Sequence, residues 1–235
     1  MLLTGVSSTV RILALALLLT APLLPAAPEL DAVLGNMDAA AAKWTGMRAK
    51  VVWTKYTSLV DDKTVESGEI VVRRANSSQV DMRIEFTEPN HYFLAVTDAK
   101  VEIYKPKTAT VEIYDLSKSR DKLKQALLLG FGTAGKFLRE NYDVSVSGEE
   151  TVVGEDSVRL ELRPKTEEMA RSFEKIEMWI AKKTWQPVEQ KVYETTPGDF
   201  RIYSYAAVEL NPKLAASDFK LKLARGTKKV FPQRN

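Results

Sequence analysis

"GEIVVRRANSSQVDMRIEF", residues 68–86, contains two strand-like runs around a polar turn. In the second run Val80, Met82, Ile84 and Phe86 alternate with Asp81, Arg83, Glu85 and Thr87. One face is apolar and the other charged, the period-2 mark of a half-buried strand. The first run ends on Arg73 and Arg74, whose side chains must point to opposite faces. One arginine therefore heads for the apolar side of the sheet.

The same alternation extends in both directions. Upstream, Met47, Ala49, Val51 and Trp53 alternate with Arg48, Lys50, Val52 and Thr54. Downstream come Tyr92 to Val96, apolar on both faces, then Val101 with Ile103, and Val111 with Ile113. The turn signals between them are short: NSS at 76–78, EPN at 88–90, DAK at 98–100 and KPKTA at 105–109. Such spacing favours hairpins between neighbours, hence an antiparallel meander.

Helical spacing brackets and interrupts this meander. Leu30, Val33, Leu34, Met37, Ala41 and Trp44 predict an amphipathic helix over 29–44, with Ala39 to Ala42 adding helix propensity. After Ser117 the helical period returns in Leu123, Leu127, Leu128, Phe131, Phe137 and Leu138. Gly130, Gly132 and Gly135 divide this insert into pieces at about 117–129 and 133–141, and Gly130–Phe131–Gly132 reads as a joint between them. Strands then resume at Val144 with Val146, at Val158 to Leu162, at Ile176, Met178 and Ile180, at Val188 with Val192, at Phe200 to Tyr205, and at Phe219, Leu221 and Leu223. Pro187 restricts its segment to an edge or a strand start.

That inventory sets the expected architecture. A long twisted antiparallel sheet must curl, split or be covered. Two or three helices are too few for a second layer and enough to plug the mouth of a curled sheet. The expected fold is mainly β with an α lid: an incomplete antiparallel β-barrel of about eleven strands, capped by an N-terminal helix and a central helical insert at about 117–141.

Arg11 precedes an uncharged run at 12–27, ILALALLLTAPLLPAA, which contains Pro22 and Pro25 and ends in small residues. Such a run is short for a membrane helix, which needs about 20 residues. It reads as a secretory signal over 1–27, cleaved near Ala26 or Ala27, which leaves 28–235 as one domain. The chain has no cysteine, which excludes disulfides, thiolate metal sites, thiol nucleophiles and the acylated cysteine of a bacterial lipoprotein. The expected product is a diffusible monomer in the periplasm.

The net charge is +3, with no dense basic stripe carrying interleaved aromatics, so no nucleic-acid partner is expected. His91 is the sole histidine and no GxSxG elbow accompanies it, which argues against a catalytic triad or a transition-metal site. The carboxylates of 147–156 lie between strands without calcium-loop spacing. No glycine-rich phosphate cradle is present. Neither an enzyme nor a cofactor is expected.

The arrangement resembles the LolA/LolB-like superfamily of periplasmic outer-membrane lipoprotein carriers: signal, opening helix, six strands, helical insert, further strands and a late F-x-L-x-x-x-x-G segment. In "GEIVVRRANSSQVDMRIEFTEP" (68–89), Gly68, Arg73 and Arg74 fall on the family's pattern, with Ala75 where a proline is usual. "VTDAKVEIYKP" (96–106) is similar to the segment in which a DGK turn precedes an aromatic strand, with Ala99 in place of glycine. "SDFKLKLARGTKKV" (217–230) is similar to the family's ending, with Ala224 and Arg225 where prolines are usual.

The resemblance implies that acyl chains of lipoproteins or lipids occupy the concave face under the helical lid. The wall residues would be Val51, Trp53, Val80, Met82, Ile84, Phe86, Leu94, Val101, Ile103, Met178 and Ile180. It implies that Arg74 latches a lid carrying Leu123, Leu127, Leu128, Phe131, Phe137 and Leu138. It also implies an inner-membrane lipoprotein-releasing transporter and an outer-membrane acceptor as partners. The same fold hosts lipid binders and envelope sensor or adaptor modules, which stand as the alternative.

Overall fold

The computed structural model describes residues 29–76, 79–119, 129 and 131–232. The signal read at 1–27, Gly130 of the joint and the lid positions Leu123, Leu127 and Leu128 lie outside them. Helix α1 spans Leu30–Lys43 and buries Val33, Leu34, Met37 and Ala41, the face its spacing predicts. It stops where Trp44 turns extended. Asn211 secures this exit: its amide donates to the carbonyl of Lys43 at 3.2 Å, and its Oδ1 accepts the N–H of Thr45 at 2.7 Å.

The strands are β1 (Gly46–Thr57), β2 (Asp62–Arg74), β3 (Val80–Glu88), β4 (Tyr92–Thr97), β5 (Lys100–Lys105) and β6 (Thr110–Asp115). After helix α2 (Gly135–Asn141) come β7 (Tyr142–Val152), β8 (Glu155–Pro164), a short helix α3 (Glu167–Ala170), β9 (Lys175–Ala181), β10 (Pro187–Tyr193), β11 (Phe200–Leu210) and β12 (Lys228–Val230). All join one 12-stranded sheet in the order β12-β6-β5-β4-β3-β2-β1-β11-β10-β9-β8-β7. The edges β7 and β12 do not pair with each other, so the barrel is incomplete, mainly β and helix-capped, as expected. β1 pairs on one side with β2 and on the other with β11, and so joins the two meanders.

Several elements differ from the sequence reading. The strand expected at Phe219 to Leu223 is absent. Ala216–Phe219 instead forms a 3₁₀ turn, its entry tied by Asp218, which accepts the N–H of Ala215 at 2.7 Å. The alternation of 219–223 mimics a strand, but Phe219 is buried locally (1% exposed) and the following residues stay outside the sheet. The last strand comes later, at β12, and is parallel to β6, the one departure from an antiparallel sheet among the described residues. At the insert, 117–119 is a single 3₁₀ turn, and 120–128 lies outside the described residues. Periodicity gave no sign of helix α3; Thr166 caps it, accepting the N–H of Met169 at 3.3 Å.

Two apolar clusters fill the concave side. One presses α1 and α2 onto β7–β10 through Val33, Leu34, Met37, Leu138, Val158, Leu160, Leu162, Ile176, Met178 and Ile180. The other gathers Trp44, Met47, Ala49, Val51, Ile70, Val72, Val80, Phe131 and Tyr205 over the β1–β3 region.

Candidate functional site

Register decides where the two arginines go. Arg73 lies opposite Asp81, and Arg74 opposite Val80. Val80 shares its face with Met82 and Ile84, so Arg74 is the arginine on the concave side. Arg73 takes the convex side. Its Nε and Nη2 donate to Asp81 Oδ2 at 3.0 and 2.7 Å, and its Nη1 donates to the Leu214 carbonyl at 3.3 Å. Its guanidinium lies 4.8 Å over the ring of Phe219. Arg73 thus clamps the C-terminal segment onto the back of the sheet.

Arg74 meets the insert. Its guanidinium lies 5.4 Å from the Trp44 ring centroid, its Nη2 lies 3.5 Å from the carbonyl of Gly132, and its backbone N–H donates to the carbonyl of Thr45 at 2.8 Å. The Gly132 carbonyl belongs to the segment leading into α2, not to the last turn of a helix.

That segment is pinned at several other points. Phe131, 2% exposed, sits edge-on to Tyr205 with centroids 4.4 Å apart. The N–H of Gly132 donates to Gln186 Oε1 at 3.1 Å, and Gln190 Nε2 donates to the carbonyl of Leu129 at 3.4 Å. Gly132 has φ +69, and a Cβ there would stand 2.6 Å from Trp44, so glycine is required. Sequence reasoning missed both glutamines. Gln190 carried a signal, since it shares a face with Val192 where an apolar residue would be expected; Gln186, beside Pro187, carried none. Of the lid positions, Leu138 is fully buried and Phe137 packs on the same α1–α2 cluster.

The predicted wall residues divide by burial. Val51, Trp53, Val80, Met82, Ile84, Phe86, Leu94, Val101 and Ile103 share the concave face of β1 and β3–β5, as the pairs Ile84↔Leu94 and Leu94↔Ile103 show. Within that set Trp53, Met82, Ile84, Leu94, Val101 and Ile103 are only half-buried, whereas Val51, Val80 and Phe86 are buried. Met178 and Ile180 lie on the other half, 0% exposed beneath α1.

The far end of this face from Arg74 is aromatic. Trp53 stacks on Tyr203 and tilts against Phe86, each at 6.5 Å, and Phe86 stacks on Tyr92 at 4.7 Å. The hydroxyl of Tyr92 donates to Glu66 Oε2 at 2.7 Å. Burial and then that carboxylate push its pKa up, so it stays a donor. The indole nitrogens of Trp53 and Trp44 are both buried without a hydrogen-bond partner. His91 is exposed at a strand start, 3.1 Å from Glu85.

A family model described as "Uncharacterized protein" matches residues 78–211, more than half of the chain. No curated protein matches. Among solved structures the chain is similar to MucB, at 14% identity and a TM-score of 0.53 over 82% of this chain and 62% of MucB. It is similar to MucB again in the Pseudomonas aeruginosa MucA/MucB complex, at 14% identity and a TM-score of 0.50 over 83% of this chain and 62% of that one. An uncharacterized conserved protein from Thermus thermophilus matches at 14% identity and a TM-score of 0.52, over 86% of this chain and 98% of its own. The chain thus spans less than two thirds of MucB's length. These likenesses concern the fold alone.

Proposed function

The chain belongs to the family matched over residues 78–211, and we propose that its LolA-like half-barrel binds acyl chains of lipoproteins or lipids in the periplasm and carries them between membranes. One observation carries this reading: the concave face of β1 and β3–β5 holds Trp53, Met82, Ile84, Leu94, Val101 and Ile103 half-buried, while the equivalent face of β8–β9 is closed under α1. Half-exposed apolar side chains on one continuous curved face are what an acyl chain would cover. Burial gains about 0.8 kcal/mol per CH₂, so a 16-carbon chain would gain about 12 kcal/mol in a perfect fit. A shuttle needs a weaker, reversible fit, which a partly filled barrel supplies. Arg74 then acts as the latch that holds the Phe131–Gly132 segment when the cradle is empty. The lipoprotein-releasing transporter and outer-membrane acceptor belong to this carrier reading.

A second reading is an envelope adaptor that binds a protein rather than a lipid. The likeness to MucB, solved in complex with MucA, favours it. The test is native mass spectrometry of protein recovered from the periplasm of a Gram-negative host. The carrier reading expects added mass of an acylated species, lost in Ile84→Asp. A protein that is empty and also ignores added fluorescent fatty acid would overturn it in favour of the adaptor.

A further inference from the structure

On the convex side of the sheet the C-terminal segment runs as a strap, fixed at two points. Phe219 is buried against the Arg73 guanidinium, and the N–H of Ala224 donates to the Tyr104 hydroxyl at 3.2 Å. Between strap and sheet lies a cavity of about 390 Å³, whose lining includes Arg83, Glu85, Phe93, Asp218, Lys220 and Lys222. Arg83 and Glu85 alternate along β3 with Met82 and Ile84, so the cavity is on the opposite face of the sheet from the proposed acyl cradle.

The charges lining it are unequally committed. Asp218 accepts the N–H of Ala215 at 2.7 Å, and Glu85 has His91 at 3.1 Å and Arg83 at 4.0 Å. Arg83 has only that long ion pair and no hydrogen bond among the described residues. Its Nε is closed off, yet its side chain is 30% exposed, which leaves the Nη1 and Nη2 end facing the cavity. Lys220 and Lys222 carry no ion pair among the described residues. A guanidinium partly withdrawn from water and poorly paired carries a penalty that an anion relieves. Phe93 is half-buried, stacks on Tyr104 at 6.1 Å and adds an apolar ring to the wall.

We propose that this cavity binds a phosphate ester: Nη1 and Nη2 of Arg83 and the ammonium groups of Lys220 and Lys222 hold the phosphate, and the Phe93 ring takes the carbon part. The donors of three cations exceed what the two oxygens of a carboxylate accept, whereas a phosphate offers more oxygens. Three cations against two carboxylates leave an excess of one positive charge, which suits a single phosphate and not a polyanion. A water's share of liquid volume is about 30 Å³, so the cavity has room for the alcohol as well as the phosphate. Such a group occurs as the headgroup of an anionic lipid or as a soluble phosphate ester.

The test is titration calorimetry on protein recovered from the periplasm of a Gram-negative host, in phosphate-free buffer at about 0.15 M ionic strength. The probes are glycerophosphoglycerol and phosphatidylcholine vesicles with and without phosphatidylglycerol. The proteins are wild type, Arg83→Gln, the double variant Lys220→Gln/Lys222→Gln, and a control, Lys228→Gln/Lys229→Gln, that removes the same charge from β12. Arg83→Gln should weaken binding about tenfold and Lys220→Gln/Lys222→Gln about fivefold, while the control changes it less than about twofold. Binding of glycerophosphoglycerol with the vesicles ignored identifies a soluble ester; phosphatidylglycerol-dependent vesicle binding with the same residue dependence identifies a lipid headgroup. Equal weakening by the two double variants reduces the effect to general charge attraction and overturns the site. So does an Arg83→Gln protein that binds as wild type, or a wild type that binds neither probe. None of these failures touches the acyl cradle, whose fatty-acid binding is read separately.

Discussion

Arg73 and Arg74 differ by one position and therefore by one face, and the two sides of the sheet use a guanidinium differently. Asp81 is 2% exposed and depends on Arg73 for its charge partner. Arg73→Leu should therefore lower stability by about 3 kcal/mol, because a buried carboxylate is left uncompensated. A denaturant midpoint close to wild type would contradict this. Arg74→Leu removes a contact over Trp44 and a long bond to Gly132, and should cost no more than about 1 kcal/mol. Its expected effect is instead slower release of bound lipid, because the latch favours the empty state, read by stopped-flow transfer to vesicles; unchanged release kinetics would remove the latch. The sequence alone says that one arginine faces inward but not which. Ile70, Val71 and Val72 are all apolar, so β2 carries no parity of its own, and only pairing with the cleanly alternating β3 assigns Arg74 to the concave side.

At the scale of elements, α2 is held to α1 by close approach. A Cβ on Gly135 would stand 2.4 Å from the carbonyl of Leu34. Gly135→Val should force the two helices apart and cost about 2 kcal/mol or more, visible as a lower melting temperature. On the convex face, Lys175 bridges Glu161 at 2.8 Å and Glu177 at 3.1 Å. The bond from Lys175 holds the Glu161 carboxyl below its ordinary value of 4.5, and the bond to Glu161 raises Lys175 above 10.5. A depressed carboxyl contributes stability above its unfolded value and loses it as pH falls through the folded one. The raised ammonium contributes below 10.5 and loses it on the alkaline side. Glu161→Gln should therefore lower the melting temperature somewhat at neutral pH, where the carboxylate contributes, and flatten its decline below about pH 4.5. An identical acid limb in both proteins would refute the assignment. Opening helix, meander and the second piece of the insert, seen as Gly135–Asn141, were legible because their periods are clean. The false strand at 219–223 arose because a locally anchored extended segment shows the same alternation as a paired one.

The whole molecule is one sheet with two unlike halves joined at β1. Both halves alternate in the same way, Met82 and Ile84 in one, Met178 and Ile180 in the other. Nothing in the sequence says which half the helices cover; that depends on where α1 and α2 land, a long-range outcome. If the open half is the cradle, added lipid should slow amide hydrogen exchange in β3–β5 and leave β8–β9 unaltered. Uniform protection across both halves would count against a divided barrel.

An unclosed sheet also has two free hems. The β7 hem is long, but its ladder is broken by a bulge between Val146 and Gly148, and its exposed positions include Asp143, Glu149 and Glu150. The β12 hem is only three residues, opening with Lys228 and Lys229. Short length, bulging and charge are the means by which edge strands refuse a foreign strand. A sheet left open but guarded in this way should stay unaggregated when concentrated, its copies having no bare edge to share.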